Sequence, residues 1–132
     1  MTQQTSTSPT RSRDKVLQSL YEIEIAGTSL KDVLKDQFTK KNYPHYKALL
    51  EGIVESQDTI DELLEKNMDR ALSDLDPIER NVLRLAIYEL LNNNLDKPIV
   101  INESIRLTKK YGTAQGYKYV NALLDKIIKK GL

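Results

Sequence analysis

The stretch that decides the fold is Asp76-Pro77-Ile78-Glu79-Arg80-Asn81-Val82-Leu83-Arg84-Leu85-Ala86-Ile87-Tyr88-Glu89-Leu90-Leu91. Its first four residues spell a helix start. Asp76 is the N-cap, Pro77 suits the first helical position, and Glu79 at N3 reaches back or favours the positive helix end. The helix that follows, over 79–91, carries Ile78, Val82, Leu85, Ala86, Tyr88 and Leu90 and is apolar on more than one side. Such a helix is a central, largely buried element. Asn92-Asn93-Asn94 ends it.

The same periodicity extends outward in both directions. Downstream, Pro98 opens a helix through Val100, Ile101, Ile105 and Leu107 that stops at Gly112. The last helix runs from about Gln115 to Lys130-Gly131, with Val120, Leu123, Leu124, Ile127 and Ile128 inward. Upstream, Pro44 suits the first turn of a long helix whose apolar face runs from Tyr46, Leu49 and Leu50 through Ile53 and Ile60 to Leu64. The acidic residues between them, Glu51, Glu55, Asp58, Asp61, Glu62 and Glu65, face water. Ser29 caps a shorter helix with Asp32 as capping-box partner, and its stripe is Leu30, Val33, Leu34 and Phe38. A first helix starts near Arg11, buries Val16, Leu17, Leu20 and Ile23, and closes at Gly27. Residues 1–10 are Thr, Ser, Gln and Pro with little to bury, so they read as a disordered tail. Strand alternation never exceeds four residues. The expectation is an all-α protein: one compact bundle of six to seven helices over 11–132.

Composition excludes several classes of function. The chain has 132 residues, 39% of them hydrophobic and 30% charged, with no cysteine and one histidine, His45. Disulfides, cysteine zinc sites, thiol nucleophiles and multi-histidine metal cages are therefore ruled out. No run approaches the ~18–20 apolar residues of a membrane-spanning helix. The first ten residues have no apolar h-region, so no signal peptide is expected and the cytoplasm is the expected location. His45, beside Pro44 at a helix start, reads as a surface or partly packed histidine. Asp74, Asp76 and Glu79 are explained by capping without a metal. With no Gly-rich phosphate loop, nucleophile elbow or oriented acid–base pair, the chain reads as a binding protein needing no cofactor, not as an enzyme.

The net charge of +1 is unevenly spread. Residues 51–96 carry four Lys/Arg against twelve Asp/Glu, whereas residues 103–132 carry seven against two. Basic ends and an acidic middle fit two partners, one of them anionic. Two stretches suit nucleic acid. One is Arg11-Ser12-Arg13-Asp14-Lys15; the other gathers Arg106, Lys109, Lys110, Tyr111, Lys118 and Tyr119 around Gly112. The second mixes phosphate donors with aromatic faces on which unpaired bases stack. Asn102 and Asn121, polar residues in apolar stretches, are expected to satisfy buried backbone groups.

Several blocks, in order, resemble the bacterial NusB family of transcription antitermination factors. They are Arg13 to Leu20-Tyr21, Ile78 to Leu90, Pro98-Ile99-Val100-Ile101-Asn102-Glu103-Ser104-Ile105, Tyr111-Gly112 and Tyr119-Val120-Asn121-Ala122-Leu123-Leu124-Asp125. The resemblance spans residues 11 to about 128. It implies an all-helical fold without catalysis. It implies binding of the boxA element of ribosomal RNA leader transcripts together with NusE, a small-subunit ribosomal protein, and through NusE a place in the RNA polymerase antitermination complex. RNA is then expected at Arg11, Arg13 and Lys15 and at Arg106, Lys109, Lys110, Lys118 and Tyr119, and NusE at Tyr21 and Glu79. Two departures stand out: Asp14 interrupts the basic start of the first helix, and Tyr119 replaces the family's usual Phe. Other readings are a helical homodimer that hides its RNA surface, and a detached equivalent of the NusB-like domain of ribosomal RNA cytosine methyltransferases. The absence of a catalytic domain weighs against the last.

Overall fold

The computed structural model describes residues 9–35, 43, 45–92 and 95–132. Phe38, Pro44, Asn93 and Asn94 and the expected tail up to residue 8 lie outside the described residues. Seven α-helices and no strand occur among the described residues, and no described helix is long and apolar enough to cross a membrane. The chain divides into two compact units, 1–54 and 55–132.

The first unit contains α1 (Pro9–Tyr21), a π-helical turn (Glu22–Ala26), α2 (Leu30–Val33) and most of α3 (Tyr46–Glu55). Pro9 and Thr10, assigned to the tail by composition, form the first turn of α1, where a missing N–H costs nothing. Val16, Leu17 and Leu20 are buried as expected, but Ile23 is only half-buried. The cause is the π turn, whose wider winding shifts the apolar face after Tyr21. Gly27 closes it at φ 74°, a left-handed conformation that glycine reaches without a Cβ penalty. Ser29 Oγ accepts from the Asp32 amide at 3.1 Å, as the capping pattern requires. Lys35 Nζ, 3.0 Å from Asp32, together with Ser29 holds the Asp32 carboxyl below the usual aspartate range. His45 is exposed and takes φ 69° before α3. Inside the unit, Ser19 Oγ and the buried Tyr46 hydroxyl share a 2.7 Å hydrogen bond that ties α1 to α3.

The long helix expected from Tyr46 to Leu64 is two helices. Ser56, at φ −97° and ψ 7°, interrupts it between α3 and α4 (Gln57–Asn67).

The second unit holds α4, a 3-10 turn (Leu72–Asp74), α5 (Pro77–Asn92), α6 (Lys97–Tyr111) and α7 (Gly116–Lys129). Helix α5 packs on α4, α6 and α7, and α6 packs along α7. Every residue over 79–87 is buried, so α5 is the central element its pattern predicts. Asp76 caps it: its Oδ2 accepts from the Ile78 amide at 3.0 Å. Five buried polar or charged residues stand on α5, Glu79, Arg80, Asn81, Arg84 and Glu89, and hydrophobic periodicity does not mark them as buried. Arg80 Nη1 donates to the Leu75 carbonyl at 2.8 Å and holds the turn before the helix. Arg84 forks onto Asp61 of α4, at 2.8 Å from Nε and 2.9 Å from Nη2. Asp61 therefore does not simply face water, although Glu55, Asp58, Glu62 and Glu65 are exposed.

Candidate nucleic-acid interface

The basic and aromatic residues around Gly112 come together because the turn between α6 and α7 is short and tight. The Gly112 amide donates to the Thr108 carbonyl at 2.8 Å, and α7 begins four residues later. Lysines in the last turn of α6 oppose the negative end of its dipole, which suits Lys109 and Lys110. Both are exposed, as is Lys118. Each of the three tyrosines here carries a cation over its ring. Lys109 lies 4.6 Å from the Tyr117 centroid, Lys110 lies 5.1 Å from Tyr111, and Arg70 lies 4.5 Å from Tyr119. These are cation–π distances. The arrangement presents positive charge on planar aromatic supports, which suits phosphates and base faces alike.

Arg106 lies on the same helix but is already paired, its Nε 2.8 Å from Glu103 Oε2. Tyr119 is half-buried, and one ring face is taken by Arg70. Burial pushes the Tyr119 phenol up, with Arg70 pulling it down and Asp69 pushing it up. Asn102 and Asn121 are both exposed, so their expected role in satisfying buried backbone groups is corrected: their amides reach solvent.

Glu79 needs a correction too. It is buried, with 7% of its surface exposed, and it stands in the first turn of α5, where its charge favours the positive helix end, but its side-chain hydrogen bond goes to Thr113 and not back to the cap. Its Oε2 accepts a 2.6 Å hydrogen bond from the Thr113 hydroxyl. Gly116 is packed so closely on this carboxylate that a Cβ there would collide with Oε2. Glu79 thus braces the 112–116 turn from beneath, which leaves it little surface for a direct partner contact. Tyr21, in contrast, is 40% exposed at the end of α1.

The N-terminal cluster is thinner than its sequence. Arg11 is exposed and Lys15 half-buried, but Arg13 is 6% exposed and faces inward among the α1 core residues. A three-residue basic spacing cannot all lie on the outer side of a helix whose inner face needs Val16 and Leu17. Arg70 was missed by sequence reasoning: it sits in the acidic middle, where net charge conceals a single arginine, and only the fold brings it to Tyr119.

The NusB family model matches residues 10–129. The chain belongs to the NusB family. It is 34% identical over 127 residues to the transcription antitermination protein NusB of Marinobacter nauticus, covering 91% of this chain and 80% of that protein. Its backbone is similar to T. maritima NusB with TM-score 0.84 and 32% identity, covering 96% of this chain and 94% of that one. It is also similar to a chain in the crystal structure of antitermination factors NusB and NusE with double-stranded RNA, with TM-score 0.80 and 27% identity, covering 92% of this chain and 96% of that one. The NusB match contains every candidate RNA-facing and partner-facing residue named above.

Proposed function

We propose that this chain is a transcription antitermination factor that binds boxA-containing RNA of ribosomal RNA leader transcripts together with NusE. Through NusE it joins the RNA polymerase complex that reads through terminators in ribosomal RNA operons. It is a binding factor working in the cytoplasm, and its role requires no catalysis. The observation that carries this reading is the likeness, along nearly the whole chain, to NusB proteins, one of them solved with NusE and RNA. The surface chemistry fits. Exposed Lys109, Lys110 and Lys118, supported by Arg106, offer phosphate contacts in the second unit. Arg11 and Lys15 offer them in the first, while Arg13 is buried. Tyr21 and the exposed acidic residues of α4 suit a basic protein partner such as NusE. Glu79 contributes by shaping the 112–116 turn.

The test is titration of boxA RNA at several salt concentrations, with and without NusE. Each phosphate contact removed lowers the slope of log affinity against log salt by roughly 0.7 for single-stranded RNA. The expected result for Lys109→Ala with Lys110→Ala is a shallower slope and weaker binding. An unchanged slope and affinity would sink the assignment of this surface. A wild-type chain that binds no boxA RNA in either setting would sink the function itself.

A further inference from the structure

Two anchors on one face of α7 fix Arg70 in place. At the end of α4, Lys126 Nζ donates to the Asn67 carbonyl at 2.8 Å, satisfying one of the helix's terminal acceptors. The Asn67 amide donates to the Leu63 carbonyl at 2.9 Å and secures the last turn from within. Met68 then leaves the helix in an extended conformation, φ −99° and ψ 153°, and carries the chain to Asp69 and Arg70. Arg70 returns to α7, its guanidinium 4.5 Å from the Tyr119 ring centroid. Tyr119 and Lys126 are seven residues apart, two helical turns, so both stand on the same side of α7. The segment after α4 is therefore pinned at both ends to that side.

The seat leaves Arg70 available. Its side chain is 48% exposed, and its contact with Asp69 is a long 3.4 Å to a carboxylate that is itself 81% exposed. A guanidinium is planar, stacks on aromatic faces and is weakly hydrated, so one face can rest on the ring while the other takes a second planar group. Nucleobases stack on arginine planes as they do on aromatic rings. We infer that Arg70, seated on Tyr119, is an RNA contact: a base stacks on the outer face of the guanidinium, giving a base–Arg70–Tyr119 sandwich. This rests on the RNA-binding reading above. It revises the role of Tyr119, which supports the stacking group and positions it.

The experiment uses the full chain and a boxA oligonucleotide with the fluorescent adenine analogue 2-aminopurine placed in turn at each adenine. Affinity, salt slope and fluorescence are recorded for wild type, Arg70→Ala, Arg70→Lys, Tyr119→Phe, Tyr119→Ala and the double alanine variant. Loss of one stacked base weakens binding about 5- to 150-fold. Arg70→Ala is expected to fall in that range, with recovered fluorescence at one position. Arg70→Lys keeps the charge and loses the plane, so it should lose more than about threefold while keeping its salt slope. Tyr119→Phe keeps the ring and should retain most of the binding that Tyr119→Ala loses. Tyr119→Ala and the double variant should bind no worse than Arg70→Ala, because the pair acts as one unit. Arg70→Lys within about threefold of wild type would overturn the sandwich and leave an ordinary phosphate contact. Arg70→Ala equal to wild type, or losses that add in the double variant, would overturn it as well. These failures differ from a wild-type chain that binds no RNA, which removes the function beneath the inference.

Discussion

At the scale of one residue, Gly116 shows how a buried carboxylate constrains a surface turn. Alanine would ordinarily favour a helix over glycine by up to about 1 kcal/mol. Here its Cβ would run into Glu79 Oε2, with Thr113 Oγ1 only 2.8 Å away, and that oxygen is held by the Thr113 hydroxyl. Overpacking of this kind costs about 1–3 kcal/mol, so the clash outweighs the propensity gain. Gly116→Ala is expected to lower the urea midpoint in the wild-type background and to leave it level or raise it in a Glu79→Ala background. The cycle must be non-additive, since the second change removes the atom that the first one hits. Equal effects in the two backgrounds would show that the turn simply yields. Glu79→Lys places an ammonium where a hydroxyl donates, so it tests the turn before it tests any partner surface.

Among elements, α5 is held by polar pairs that hydrophobic periodicity does not register. Arg84 retains 7% of its side-chain exposure and Asp61 22%, and the fork between them joins α5 to α4. Asn81 Oδ1 accepts from Arg84 Nη1 at 3.1 Å, while the Asn81 amide donates to the Pro77 carbonyl at 2.9 Å. Removing one partner of a buried pair costs more than the pair itself contributes, because a desolvated charge is left behind. Asp61→Ala is expected to destabilise by about 3 kcal/mol, the low end for buried pairs, since Asp61 keeps some solvent contact. Asp61→Asn, which keeps an acceptor, should lose less; equal losses would argue against a charge effect. The elements themselves were legible because their signals are local: the cap at Asp76, the stop at Gly27, and the apolar spacing on α6 and α7. Ser56 was not legible, since a one-residue interruption leaves the apolar spacing on either side intact. Nor were the buried positions of Arg13 and Glu79, the Arg84–Asp61 fork or the Arg70–Tyr119 cation–π contact. Each depends on contacts between residues far apart in the chain, or on which side of a helix faces inward. The basic–aromatic turn at 106–119 was legible as a set, but not the order in which its groups stack.

For the whole molecule the informative quantity is coupling between partners. The chain carries its positive excess toward its ends and its negative excess over 51–96, so RNA and a basic protein do not compete for the same charge. If a basic NusE sits on the acidic segment, as proposed, it would neutralise the part of the field that repels phosphate. RNA and NusE should therefore bind with positive cooperativity, of the usual size of about 1–3 kcal/mol, or about 5- to 150-fold in affinity. Thermodynamic linkage makes the effect reciprocal: the factor NusE adds to RNA affinity must equal the factor RNA adds to NusE affinity. Part of the coupling is electrostatic, so it should shrink as salt rises. Arg70→Ala tests whether the two surfaces are separate: if Arg70 is an RNA contact and no NusE contact, the variant weakens RNA binding and keeps wild-type NusE affinity in the absence of RNA. The measurement is a square of four titrations, RNA with and without NusE and NusE with and without RNA, repeated at two salt concentrations. Matching factors that fall with salt are the expected result. Identical RNA affinity with and without NusE would remove the cooperative function and reduce the chain to a helical domain that binds each partner independently.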